Sequence, residues 1–216
     1  MKNPLLAAEA FAAALRACPL IAILRGLQPP EAPAMGESLV DAGWKLIEVP
    51  LNSPDPLSSI RKLAAAQPGA LVGAGTVLTS RQVNEVHDAG GRMIVAPNFN
   101  AEVVREAVRL RMACLPGILT ATEAFAALDA GATGLKLFPS EMIPPAAVKA
   151  LRAVLPANAL LLPVGGITMA NMAAYLAAGA SGFGIGSSLY RPGLGPAAVK
   201  RNALDIMAAC AGTIRA

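Results

Sequence analysis

Short continuous apolar runs rich in Leu, Ile and Val recur along the chain, separated by Ala-rich segments of helical length. The runs are Leu20–Leu24, Leu46–Val49, Leu71–Ala74, Met93–Ala96, Ala113–Leu115, Gly134–Phe138, Leu160–Leu162 and Gly182–Ile185. Being unbroken rather than alternating, they predict strands covered on both faces, as in a parallel sheet. Between them Pro30–Ala42, Arg81–Ala89, Ala101–Leu110, Thr122–Ala130, Pro145–Val154 and Met169–Ala178 predict helices. Leu5–Ala17 predicts a further, amphipathic helix ahead of the first strand.

The punctuation repeats as well. Asp41-Ala42-Gly43, Asp88-Ala89-Gly90, Asp129-Ala130-Gly131 and Ala177-Ala178-Gly179 each end a helix on a glycine suited to a left-handed cap. Pro50, Pro97, Pro116, Pro139 and Pro163 follow five of the strand runs, and a residue without an N–H is expected where ladder pairing stops. A helix–strand unit recurring roughly every 20–25 residues, with no linker or composition shift, predicts a (β/α)8 TIM barrel. One domain over residues 1–216 is expected, with the extra helix at about 5–17 and the barrel at about 19–211. A doubly wound open sheet is the alternative. It lacks its dinucleotide fingerprint here, since Gly73-Ala74-Gly75-Thr76 has no third glycine.

Composition narrows the function classes. The 216 residues are 55% hydrophobic and 15% charged with net charge +4, which describes a sparsely charged surface rather than the basic stripe of a nucleic-acid binder. Ala153–Tyr190 carries no charged residue, but Pro156, Asn158, Pro163, Gly165, Gly166, Thr168, Asn171 and Gly179 interrupt it before a membrane span accumulates. Glu9 and Arg16 likewise interrupt any signal-peptide core, so a cytoplasmic protein is expected. Cys18, Cys114 and Cys210 are odd in number and far apart, without histidines at ligand spacing, which argues against disulfides and zinc. His87 sits on a helix away from the strand ends and carries no chemistry.

Two ionisable residues interrupt strands that should be apolar. In Gly134-Leu135-Lys136-Leu137-Phe138 the period of two sends Lys136 into the barrel and its leucine neighbours outward. Burial lowers a lysine's pKa and makes the amine a nucleophile at neutral pH. The same parity sends Glu48 of Leu46-Ile47-Glu48-Val49-Pro50 inward. The two form either a structural ion pair, which adds little net stability, or an amine nucleophile with a general base. The glycines of Val164-Gly165-Gly166-Ile167-Thr168 and Gly184-Ile185-Gly186-Ser187-Ser188 follow the seventh and eighth runs. Phosphate often binds there in barrels, on backbone N–H groups that need no basic side chain; tight turns are the plain alternative. Arg25 closes the first run and is either a substrate contact or simply solvated; Thr76, just past the third, suits a carboxylate or a turn.

Together these strings resemble a known family. Glu48-Val49-Pro50-Leu51-Asn52-Ser53-Pro54, Gly73-Ala74-Gly75-Thr76-Val77-Leu78, Pro116-Gly117 with Thr120-Ala121-Thr122-Glu123-Ala124, Leu135-Lys136-Leu137-Phe138-Pro139 and Val164-Gly165-Gly166 are similar to those of the 2-keto-3-deoxy-6-phosphogluconate aldolases, from about Pro19 to Tyr190. Within the family the chain looks more like the phosphogalactonate branch. The gluconate branch usually has Arg where this chain has Asn52 and Thr where it has Val164, which marks both positions as specificity residues. The resemblance implies a Schiff-base aldolase without metal or cofactor. Lys136 would be its nucleophile and Glu48 its base. Arg25 would contact substrate, Thr76 would hold the pyruvyl carboxylate, and Gly165, Gly166, Gly186 and Ser187 the phosphate. Phe138 and Pro97 would form an apolar wall, and the assembly would be a homotrimer. An isomerase or synthase on the same barrel, and a non-catalytic sugar-phosphate sensor, are the rival readings.

Overall fold

A computed structural model describes residues 7–214, with side chains to Ala211. Nine strands and nine α-helices follow one another along them, alternating except where β5 runs directly into β6, with a short 3-10 helix at Ser140–Met142: β1 (Leu20–Ile23), β2 (Leu46–Pro50), β3 (Leu71–Gly75), β4 (Met93–Val95), β5 (Ala113–Leu115), β6 (Gly117–Ile118), β7 (Leu135–Leu137), β8 (Leu161–Pro163) and β9 (Phe183–Ile185). The helices are α1 (Ala7–Ala17), α2 (Ala32–Asp41), α3 (Pro56–Ala66), α4 (Ser80–Asp88), α5 (Ala101–Arg109), α6 (Ala121–Asp129), α7 (Pro145–Val154), α8 (Met172–Ala177) and α9 (Pro196–Ile214). Leu5 and Leu6 of the expected first helix lie outside the described residues. α3 and α9, which the apolar pattern did not mark out, complete the eight units.

All strand pairs are parallel, in the order β5-β4-β3-β2-β1-β9 and β6-β7-β8. The ring closes at two seams. Pro116 divides the fifth run, so that β5 pairs with β4 while β6 pairs with β7, and the Pro116 carbonyl accepts the Lys136 N–H at 3.0 Å. Between β8 and β9, the Ser181 N–H donates to the Leu161 carbonyl at 2.8 Å and Val164 bridges Gly184. The expectation that proline ends pairing therefore needs correcting at three positions. Pro50 and Pro163 are themselves the last residues of β2 and β8, and pairing resumes after Pro116 with a different neighbour. A missing N–H is tolerated where the partner changes.

Gly43, Gly90, Gly131 and Gly179 all have φ between +91° and +99°, the left-handed cap that turns each helix into the next strand. Thr79 and Thr120 open α4 and α6 with reciprocal capping boxes to Gln82 and Glu123. Outward strand residues such as Ile47, Leu135 and Leu137 join helix residues in the main core. Inward ones, including Ile21, Leu46, Met93, Ala113 and Leu162, meet Ala7, Phe11 and Leu15 of α1 in a second cluster. Leu46, Met93 and Ala113 of this cluster are the first residues of their strands, so α1 closes that end of the barrel and the other end stays open. No helix among the described residues is long and apolar enough to cross a membrane.

Candidate active site

The parity of β2 and β7 places Glu48 and Lys136 inside the barrel, with 2% and 6% of their surfaces exposed. Register aligns Glu48 with Ile23 and Gly73, and Lys136 with Gly117 and Leu162. Glycine neighbours make room for them: a methyl group on Gly75 would overlap the Glu48 carboxylate. Neither side chain makes a hydrogen bond or salt bridge among the described residues, so both are free toward the cavity. The Lys136 Nζ lies 4.5 Å from the centroid of the Phe138 ring, a cation–π contact.

Burial dominates the electrostatics of this pair. It pushes the Glu48 carboxyl above its ordinary range, against the pull of Lys136 and Arg25 in the other direction. It pushes the Lys136 amine below its ordinary range, opposed by Glu48 and reinforced by Arg25. Each group is thereby moved toward its neutral form, the state in which an amine attacks a carbonyl.

The cavity above them measures about 500 Å³. It gathers Arg25, Glu48, Lys136, Phe138, Val164, Gly165, Gly166, Gly186 and Ser187 of the expected residues. Asn52 is not in its wall but accepts a 2.7 Å hydrogen bond from Arg25 Nη1 and so fixes that guanidinium. Thr76 and Pro97 lie outside this wall as well. Thr76 follows Gly75 with φ +59°, a strained conformation for a β-branched residue and one that accompanies functional sites. The Pro97 carbonyl abuts Gly117, the register neighbour of Lys136.

Gly165 and Gly166 turn with φ +100° and +58°, and Ser140 Oγ–H donates to the Gly165 carbonyl. In the second loop, Leu189 and Tyr190 N–H both donate to the Gly186 carbonyl, which closes a turn over Ser187 and Ser188. The backbone N–H groups of Gly166, Ile167, Ser187 and Ser188 have no acceptor among the described residues. Two adjacent turns thus present unfilled donors of the kind that can receive an anion, with the Glu141 carboxylate beside Gly165 and Gly166. Sequence reasoning missed Ile23, Tyr190, Arg191 and Pro192 in the wall, while Ile167, Thr168, Gly184 and Ser188 lie in the glycine strings that it singled out without a role of their own. Arg191 and Pro192 fall beyond the end of the family-like strings, and only their closeness to the eighth glycine run could have flagged them.

The family model described as "Aldolase: KDPG and KHG aldolase" matches residues 11–208. The chain is 48% identical over 192 residues to the probable 2-dehydro-3-deoxy-6-phosphogalactonate aldolase of Rhizobium meliloti (strain 1021), covering 88% of this chain and 91% of that protein. It is 49% identical over 176 residues to the 2-dehydro-3-deoxy-6-phosphogalactonate aldolase of Escherichia coli (strain K12), covering 81% and 86%. A solved structure called native KDPGal superimposes with TM-score 0.90 at 45% identity, over 92% of this chain and 97% of that one. A KDPG aldolase from Legionella pneumophila, with pyruvate captured as a covalent carbinolamine intermediate, superimposes with TM-score 0.76 at 26% identity, over 93% and 96%. Matched along nearly its whole length, this barrel with a lysine and a carboxylate buried in one cavity belongs to the KDPG and KHG aldolase family.

Proposed function

We propose that the protein cleaves 2-dehydro-3-deoxy-6-phospho-D-galactonate to pyruvate and D-glyceraldehyde 3-phosphate through a Schiff base on Lys136. The observation that carries this reading is the unpaired Lys136 amine, buried beside the unpaired Glu48 carboxyl in one cavity. The amine adds to the substrate's C2 carbonyl and water leaves, giving a protonated imine. Glu48, directly or through a water, takes the C4 hydroxyl proton as the C3–C4 bond breaks, and the bonding electrons pass into the imine. The aldehyde leaves; the enamine takes a proton at C3, and hydrolysis releases pyruvate and restores the free amine.

The other residues divide the substrate between them. Thr76 takes the pyruvyl carboxylate, while Arg25, oriented by Asn52, contacts the sugar-acid chain. Gly165, Gly166, Gly186 and Ser187 receive the phosphate on unfilled N–H groups nearby, and Phe138 with Pro97 forms the apolar wall. Val164, apolar at the mouth, and Asn52 bias the enzyme toward the galactonate epimer. Its working form is a homotrimer in a reducing cytoplasm, which suits the buried free thiols of Cys18, Cys114 and Cys210.

Incubation with pyruvate and borohydride is expected to add a stable mass to the Lys136 peptide and to abolish activity. Pyruvate release is expected to be faster from the galactonate than from the gluconate epimer. An active enzyme with Lys136 unmodified overturns the Schiff base, equal rates overturn the epimer assignment, and silence with both substrates overturns the aldolase reading.

A further inference from the structure

Arg191 stands one residue beyond the buried Tyr190, at the far end of the turn that follows β9, and lines the same cavity as Lys136 and the glycine loops. Its backbone is fixed on both sides. The Tyr190 hydroxyl donates to Glu31 Oε2 at 3.5 Å, and the Pro192 ring packs so closely on Gly26 that a Cβ there would fall 2.7 Å from Pro192 Cγ. The side chain is fixed too, because Arg191 Nε–H donates to the Ser187 carbonyl at 3.0 Å. That contact uses one of five guanidinium donors and leaves both terminal nitrogens without a partner among the described residues. Arg191 lines the cavity together with Ser187 and Ser188, whose N–H groups are unfilled.

The two arginines of the cavity are held apart in role. Arg25 is drawn toward the β2 side by Asn52, and its charge is felt by both Glu48 and Lys136. Arg191 is drawn toward the β9 side by the Ser187 carbonyl.

We propose that Arg191 is the side-chain cation of the phosphate site, its terminal nitrogens gripping the phosphomonoester dianion that the two glycine loops receive on their backbone N–H groups. The assignment rests on the phosphate end of the function proposed above. A planar fork pinned at Nε loses little freedom on binding and matches two phosphate oxygens at once, which a lysine does not.

The test compares the 6-phosphorylated substrate with its dephosphorylated counterpart in the parent, Arg191→Ala and Arg191→Lys. Charge-assisted hydrogen bonds of the usual strength predict that Arg191→Ala raises KM for the phosphorylated substrate about 10- to 100-fold. The effect on kcat is smaller, the preference for the phosphorylated substrate falls by the same factor, and kcat/KM loses part of its salt dependence. Arg191→Lys restores part of the loss. An unchanged KM in Arg191→Ala, or equal losses on both substrates, overturns the assignment. If the parent prefers the phosphorylated substrate and Arg191→Ala keeps that preference in full, Arg191 alone is misassigned. If the parent itself shows no preference for the phosphorylated substrate, the phosphate end of the proposed function falls with it.

Discussion

Glu48 and Lys136 are each harder to ionise in the folded chain than in water, and Arg25 shapes how both titrate. Its positive charge lowers the pKa of the carboxyl and of the amine alike, and both must be deprotonated for the proposed chemistry. Arg25→Met is therefore expected to move the acidic limb of the kcat/KM profile to higher pH, besides raising KM. A limb that stays in place, or moves down, separates Arg25 from the reacting pair. The same shifts bear on stability. Lys136, with its folded value below the ordinary 10.5, adds stability that is present above 10.5 and is lost as pH falls through the folded value. Glu48, raised from 4.5, adds stability that is present below 4.5 and is lost as pH rises through the folded value. In its charged form each group weakens the free protein, a burden borne for function rather than for the fold.

At the scale of the strand, small residues decide what the barrel interior holds. Gly73 and Gly75 lie two apart on β3 and both face inward, yet a side chain at each meets a different obstacle. At Gly75 the obstacle is the mobile end of Glu48; at Gly73 it is the Met93 backbone. Gly75→Ala is expected to fold with a Tm close to that of the parent while losing about 10²-fold in kcat, because the displaced carboxylate no longer meets the C4 hydroxyl. Gly73→Ala is expected to lose about 1–3 kcal/mol of stability, as overpacking against backbone does. Thermal melts alongside kcat measurements distinguish the two, and a Gly75→Ala enzyme of full activity contradicts the placement of Glu48 as base. Much of this geometry was legible in the sequence, since a period of two assigns Lys136 and Glu48 to one interior and Asp-Ala-Gly strings place the left-handed caps. The division at Pro116 was not, because a proline that ends a strand and one at which the partner changes read alike in one dimension. Arg191 was hidden for a related reason: its contact with Ser187 depends on the conformation of a turn, and turns lack periodicity.

Over the whole molecule, the outer surface is uneven. Leu119, Phe125, Met142 and Val154 are exposed on α6, on α7 and in the loops leading to them, and Leu119, Met142 and Val154 rim one apolar groove. A second copy of the chain is the occupant expected for this face in the proposed trimer, since a contiguous apolar patch on a sparsely charged surface favours self-association. The double variant Met142→Glu, Val154→Glu is expected to sediment as a monomer, against a trimer for the parent. A parent that sediments as a monomer at micromolar concentration, or a variant that stays trimeric, removes this face from the assembly.

The seating of α1 against the N-terminal ends of the strands, with Phe11 fully buried among the inward residues, leaves the barrel with a single doorway among the described residues. Traffic through one doorway is ordered by depth. On the proposed chemistry the pyruvyl fragment is tethered to Lys136 at the bottom, and the phosphorylated aldehyde lies between it and the glycine loops. The aldehyde must therefore depart first and pyruvate last. In the reverse, carbon–carbon bond-forming direction, pyruvate must load before its partner, and an aldehyde arriving early would bar its way.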